Sequence, residues 1–159
     1  MTIYAAAGAK LFIGDEFTID GEVETADFTG QTWVEVKQLE GLGSLGDASE
    51  EVTFDDLGQR RRQRLKGVRN AEPMEIVAGL DHADPGQAAI FAAERSDANF
   101  AFRVVFDDAP TGGTPSERMF AAQVGSAREE VAEANSVIKL MASLWINTNV
   151  ARVQAAAGA

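Results

Sequence analysis

No cysteine occurs anywhere in the 159 residues, so disulfides, thiolate zinc sites and cysteine nucleophiles are excluded. Histidine is almost as scarce. The one example, His82, stands between Asp81 and Asp84, and a metal site needs about three protein ligands in a held geometry. His82 therefore reads as part of a solvated turn before a helix. Long apolar runs are also missing: the longest, near Val137–Ile146, is broken by Lys139 and Ser143, far short of the ~20 residues of a membrane helix. Met1–Ala9 has no basic region followed by an apolar core, so it does not read as a secretory signal. The expectation is a soluble product made in the cytoplasm, with no membrane partner.

Bases are few, 14 against 25 acids, for a net charge of −11. Such a surface repels nucleic acid over most of its area and favours solubility. Hydrophobic content of 45% argues against global disorder. The length suits one domain, 1–159, able to remove roughly 70% of its unfolded surface from water.

Catalytic signatures are absent as well. There is no G-x-S-x-G, P-loop or framed dinucleotide fingerprint. Gly41-x-Gly43-x-x-Gly46 matches one by letter, but Asp47 and Glu50 follow it and no strand and helix frame it. The carboxylate pairs Asp55–Asp56 and Glu129–Glu130 are adjacent in sequence and do not face each other across a cleft, as glycosidase chemistry requires. No catalytic residue, cofactor or metal is expected, and the chain does not read as an enzyme.

What is present is alternation. Phe100, Phe102, Val104 and Phe106 share one face of a strand over Asn99–Phe106, and Ile138, Leu140, Ala142, Leu144 and Ile146 share one over Val137–Ile146; period two is the strand signal. Phe120, Ala122 and Val124 give a partner strand in Glu117–Val124, across a Pro- and Gly-rich loop at Asp108–Ser116. Gln31–Leu39 and Glu72–Leu80 are further strands, the second confined by Pro73 to an edge or a strand start. Lys10–Ile19 reads as an extended segment that packs on something, and Val150–Val153 as a last strand after a polar turn at Asn147–Asn149. Asp84-Pro85-Gly86-Gln87 is a helix start, with Asp at the N-cap and Pro at the first helical position. That helix runs to about Arg95, with Ile90 and Phe91 toward the core. Arg128–Ala134 has helical composition. The small-residue ends, 1–9 and 155–159, are expected to be loosely held. The sum is mainly β: a sandwich or barrel of six or seven strands with one flanking α-helix and a long inter-strand loop.

That loop, 41–70, is read as having little regular structure beyond a short strand at Glu51–Phe54. It is first Gly-rich, then acidic (Asp47, Glu50, Glu51, Asp55, Asp56), then basic (Arg60, Arg61, Arg62, Arg64, Lys66, Arg69). Loops longer than ~12–15 residues are uncommon in compact domains and are usually functional or disordered. The arginine block lacks interleaved aromatics, and the chain as a whole is acidic, so self-assembly is preferred over phosphate binding. The basic block of one copy would meet the acidic block of the next. Phe54, Asp55, Asp56, Arg60, Arg61, Arg62, Arg64 and Lys66 are the expected contacts between copies. Open sheet edges, which must be covered, charged or paired, would be removed by a closed ring.

Taken in order, these elements resemble the major tail tube protein of long-tailed, siphovirus-type bacteriophages. The resemblance runs through Thr32-Trp33-Val34-Glu35-Val36, Glu51-Val52-Thr53-Phe54-Asp55-Asp56-Leu57, the Arg60–Lys66 stretch with Gly67-Val68-Arg69, the Glu75–Leu80 strand, and Asp84-Pro85-Gly86-Gln87-Ala88-Ala89-Ile90. It ends on the aromatic strand and its return strand, and covers roughly Gln31 to Val153. The resemblance implies a structural virion protein without enzymatic activity, built as hexameric rings stacked into a hollow tail tube. Double-stranded DNA would pass through an acidic lumen without specific binding, and the loop at about Gly41–Gly67 would reach an adjacent ring. Further implied partners are tape measure, tail terminator and distal tail proteins; the location would be the virion tail, after synthesis in the host cytoplasm. Two other readings stand beside it: a type VI secretion-like tube protein, and a small β-barrel ligand-binding protein, whose mark would be a closed apolar pocket.

Overall fold

The computed structural model describes residues 2–158. In chain order the strands are β1 (Lys10–Glu16), β2 (Val34–Val36), β3 (Leu39–Gly41), β4 (Asp47–Phe54), β5 (Gln63–Ala71), β6 (Met74–Gly79), β7 (Phe100–Val105), β8 (Glu117–Glu130), β9 (Lys139–Ile146) and β10 (Ala151–Val153). A 3-10 turn, Thr25–Phe28, follows β1, and the helix α1 (Pro85–Glu94) lies between β6 and β7. The main sheet is antiparallel in the order β2-β1-β7-β8-β9-β6-β3, with β10 also on β8. The strands β4 and β5 form a separate antiparallel pair.

The end strands of this order, β2 and β3, are joined by two residues, Lys37 and Gln38. A consecutive Cα step spans only ~3.8 Å, so the sheet must roll until its two edges nearly meet. Gln38 turns the chain in the left-handed region, φ 62°, which splits the expected strand Gln31–Leu39 in two. The start of α1 closes the seam. Asp84 Oδ2 accepts from the Gln87 amide, as an N-cap, and also from the Lys37 amide at 3.0 Å. The Gln87 side-chain amide donates to the carbonyls of Lys37 (3.1 Å) and Gly79 (2.8 Å), and its Oε1 accepts from the Asp81 amide. Asp84 and Gln87 are both buried. Gly86 sits where a Cβ would overlap the Glu35 carbonyl, so only glycine lets the helix lie this close to β2.

Inside the rolled sheet the expected alternation is realised. Phe102 and Phe120 stack at 5.8 Å, and Leu11, Ile13, Val36, Met74, Ile76, Ile90 and Leu144 fill the space around them. Leu140, Ala142 and Ile146 are buried as read, whereas Ile138 lies before β9 and is 44% exposed. On α1, Ile90 faces the core with Gly86, Gln87 and Ala93. Phe91 does not: it lines an outer groove with His82, Ala88 and Arg95, because the buried stripe at spacings of three and four leaves it on the flank.

A second, smaller cluster covers part of the outer sheet face. Val23, Phe28, Ala101, Met119 and Ala151 are buried there with Phe17 and Trp33 packed on them, and Phe17 stacks on Phe28 at 4.9 Å. This is what the Lys10–Ile19 region packs on. Arg103 joins it as a planar cation, 4.4 Å over Phe12 and 5.0 Å over Trp33, and pairs with Glu117.

Two further expectations are corrected. Arg128–Ala134 is not helical: β8 continues through Glu130, paired to β9 in the register Arg128↔Met141 and Glu130↔Lys139. The carboxy-terminal residues are tied in place through Ala156, which exchanges backbone bonds with Thr114, while the Ala155 amide donates to Ser116 Oγ. That hydroxyl and the Ser116 amide both donate to Asp108, at 2.6 and 2.8 Å. These two bonds hold the Asp108 carboxyl below its ordinary value of 3.8. A depressed folded-state value gives stability that is present above the ordinary value and lost as pH falls through the depressed one. Acidification below 3.8 is therefore expected to lower the protection of the Ser116 and Ala155 amides against hydrogen exchange, relative to their intrinsic exchange rates. That loss should be absent in Asp108→Asn, measured as protection factors against pH.

Candidate functional site: the projecting hairpin

The segment read as a loop is a two-stranded ribbon. Backbone pairing runs from Asp47↔Ala71 to Phe54↔Gln63, in place of the single short strand expected at Glu51–Phe54. A bulge lies between the pairs Ser49↔Arg69 and Glu51↔Lys66, where Glu50 faces both Gly67 and Val68. The root is anchored: Leu42, Leu45 and Ala71 pack against the main core, and Gly43 approaches the Glu75 backbone so closely that a Cβ could not be accommodated. Beyond the root every residue of β4 is exposed, and its eight residues at ~3.3 Å each carry the tip roughly 25 Å outward.

The two faces of the ribbon differ. One carries cross-strand ion pairs: Asp47 with Arg69 at 3.4 Å, Glu51 with Arg64 at 3.1 Å and Asp55 with Arg62 at 2.8 Å. The Asp55–Arg62 pair is bidentate, with a second bond of 3.2 Å. The acidic and basic blocks thus meet within one hairpin, whereas the sequence suggested that they meet between copies. The physical reason is the fold-back at Asp56–Gly58, where Asp56 accepts from the Gly58 amide and its carbonyl from the Gln59 amide; it brings two oppositely charged blocks into register. Exposed pairs of this kind contribute little, about 0–1 kcal/mol each.

The other face is apolar and uncovered. Val52 stands opposite Leu65, with Phe54 beyond it. Phe54 is 58% exposed, Leu65 63% and Val68 72%, and Leu57 at the tip is fully exposed. An isolated two-stranded hairpin is marginal in water, so a ribbon of this length with an apolar face is incomplete alone. Of the residues singled out from sequence, Phe54 lies on the apolar face, Asp55, Arg62 and Arg64 are engaged in the ion pairs, and Asp56 shapes the turn. Arg60, Arg61 and Lys66 make no ion pair among the described residues. Sequence reasoning missed Val52, Leu57, Leu65 and Val68. Their signal was available in the short alternation Val52-Thr53-Phe54 and in charges mirrored about Gly58.

A second incomplete feature is the edge of β8. The strand β7 pairs only with Glu117–Ala122, while β9 and β10 occupy the opposite edge. Among the described residues no strand covers the β7-side edge of Gln123–Glu130. His82 is exposed in its turn, and the described residues contain no group of three His, Cys, Asp or Glu able to hold a metal ion. The space inside the barrel that a small ligand would take is filled by the packed side chains of Phe102, Phe120, Met74 and Ile90. Among the described residues no helix is long and apolar enough to cross a membrane.

The sequence matches no protein-family model and no curated protein. Solved structures do match in fold. A chain of the anti-feeding prophage baseplate superposes with a TM-score of 0.67 at 14% identity, covering 97% of this chain and 98% of that one. The SPP1 tail tube gives 0.66 at 15% identity over 96% of this chain and 80% of its own. A chain from the sheath/tube terminator of an extracellular contractile injection system gives 0.68 at 9% identity, covering 96% and 98%. At these identities the likeness is one of fold: mainly β, antiparallel, with one helix.

Proposed function

We propose that this chain is a structural subunit of a hollow tube, self-assembling as stacked hexameric rings. The observation that carries the reading is the β4–β5 ribbon, whose uncovered apolar face of Val52, Phe54, Leu65 and Val68 projects from a barrel of the fold seen in the SPP1 tail tube. Phe54, Asp55, Asp56, Arg60, Arg61, Arg62, Arg64 and Lys66 are the proposed contacts between copies, now joined by Val52, Leu57, Leu65 and Val68. Within a ring, the open edge of β8 is the natural place for a neighbour's strand, since adding one satisfies the exposed backbone groups. One of the similar structures was six-fold symmetrised, which agrees with rings of six.

The favoured setting is a bacteriophage tail of the siphovirus type, in the virion, with genomic double-stranded DNA passing through the lumen during ejection. Tape measure, tail terminator and distal tail proteins would be its neighbours. A net charge of −11 per copy suits passage, because binding by many basic contacts would retard the DNA. A secretion tube is the second reading, favoured by the fold match to a type six secretion system protein at TM-score 0.53. The role is structural and requires no catalysis.

Electron microscopy of the purified full chain tests the proposal. Regular hollow tubes or stacked rings are the expected result; compact monomers alone, under conditions that promote assembly, would sink it.

A further inference from the structure

We infer that the tip of the ribbon docks into the cleft at the root of the same ribbon in a second copy. This rests on the tube reading and names the surface that receives the ribbon. The cleft, about 410 Å³, lies between Gly21 and Glu22 on one side, Asp47 and Arg69–Ala71 at the ribbon's base, and Ile146–Asn149 beneath. It has an apolar floor in Ile146 and a polar rim, including the carboxylate of Glu22.

Charge decides which part of a neighbour fits it. The ribbon, Asp47–Ala71, holds six bases and five acids, and three of those acids are already engaged in its own ion pairs. The bases left over are Arg60, Arg61 and Lys66, the first two at the tip. Two of its acids, Glu50 and Asp56, are also outside those pairs, and a denser acidic block lies elsewhere. Between Leu11 and Gly30 there are six acids (Asp15, Glu16, Asp20, Glu22, Glu24, Asp27) and no base. All six are exposed, and none is in an ion pair among the described residues. Glu22 lines the cleft, and Asp20 precedes it by two residues in the chain. Leu57, fully exposed beside the arginines, supplies an apolar group for the Ile146 floor.

Distance decides that the occupant is another copy. The ribbon carries its own tip roughly 25 Å from its own root, so the arginines cannot reach the cleft of the chain that bears them. A tip that fits a root gives a head-to-tail contact, the same surfaces repeating along a stack. The acidic half of the complementarity thus belongs to the β1–β2 connection, whereas Asp47 and Glu51 of β4 serve the ribbon itself.

The test is a charge swap on the full chain, read by sedimentation of assembled material and electron microscopy. Arg60→Glu with Arg61→Glu, and separately Asp20→Arg with Glu22→Arg, should each cut the assembled fraction at least about tenfold, and the four changes together should restore it. The lack of native cysteine allows a second measurement that does not depend on charge. A chain carrying both Arg61→Cys and Glu22→Cys should form a ladder of disulfide-linked multimers when assembled and oxidised, and neither single variant should. Tubes without a ladder, or unaffected by the Asp20 and Glu22 reversals, would overturn the docking site and leave the tube reading standing. Failure of the unaltered chain to assemble would overturn both.

Discussion

Replacing Phe54 and Leu65 together by threonine is expected to abolish ordered assembly while leaving the barrel folded. Both side chains lie on the uncovered ribbon face and are more than half exposed in the single chain. Threonine keeps the β-branched shape that a strand favours, and neither residue belongs to the buried clusters, so the change in fold stability should stay within about 0.5 kcal/mol. Between copies the balance differs. Burying a Phe or Leu side chain contributes ~1.5–3 kcal/mol, so two lost anchors weaken each contact by about 3–5 kcal/mol, or roughly 10²–10⁴-fold in affinity. The contact repeats in every subunit, so assembly should fail outright. Thermal unfolding and electron microscopy read the two effects separately. Normal tubes from the double variant would show that the apolar face is not an interface.

The largest expected effect on the fold itself comes from Gln87→Leu. Leucine fits the buried volume but strands the Asp81 amide and the carbonyls of Lys37 and Gly79, which the Gln87 side chain serves. A buried polar group left unpaired costs about 1–3 kcal/mol. With three groups affected and some reached by water, the loss should be about 3–5 kcal/mol, and Tm should fall by roughly 10 °C. A calorimetric scan measures it. An unchanged Tm would mean that the seam between β2 and β3 is not held by this side chain. The result would matter for assembly too, because β3 leads through Leu42 and Leu45 into the root of the ribbon.

Much of the barrel was legible because burial on one face imposes period two. Phe102 and Val104 on β7, Phe120 and Ala122 on β8, and Leu140, Ala142 and Leu144 on β9 are all buried as their alternation implied. Asp84-Pro85 marked the helix start because capping is local chemistry, complete within four residues. Phe91 departs from its expected place because α1 buries only the stripe of Gly86, Gln87, Ile90 and Ala93. With alanines around it, the helix offers little contrast by which to read a face. Arg128–Glu130 departs from the helix that its composition suits, because its pairing with β9 decides otherwise. The second cluster was invisible because Val23, Phe28 and Trp33 are spaced without a period and reach Met119 and Ala151 only through the fold.

The ribbon shows the same division most clearly. Local sequence was enough to mark 41–70 as a charged segment directed outward, with its acids before its bases, because charge and glycine content are properties of residues one by one. Which charges meet is a property of register. The pairing of Phe54 with Gln63 lines up Asp55 with Arg62 and brings Glu51 beside Arg64, so opposite charges that read as a contact between molecules are joined within one. Register also sorts Val52, Phe54 and Leu65 onto a single face, where a few scattered apolar residues become a surface. The sequence therefore established the strands, the cap and the sign of the charge, all of which depend on neighbours in the chain. Barrel closure at Lys37–Gln38, the clamp at Gln87 and the two-faced ribbon depend on residues distant in sequence, and folding alone brings these together.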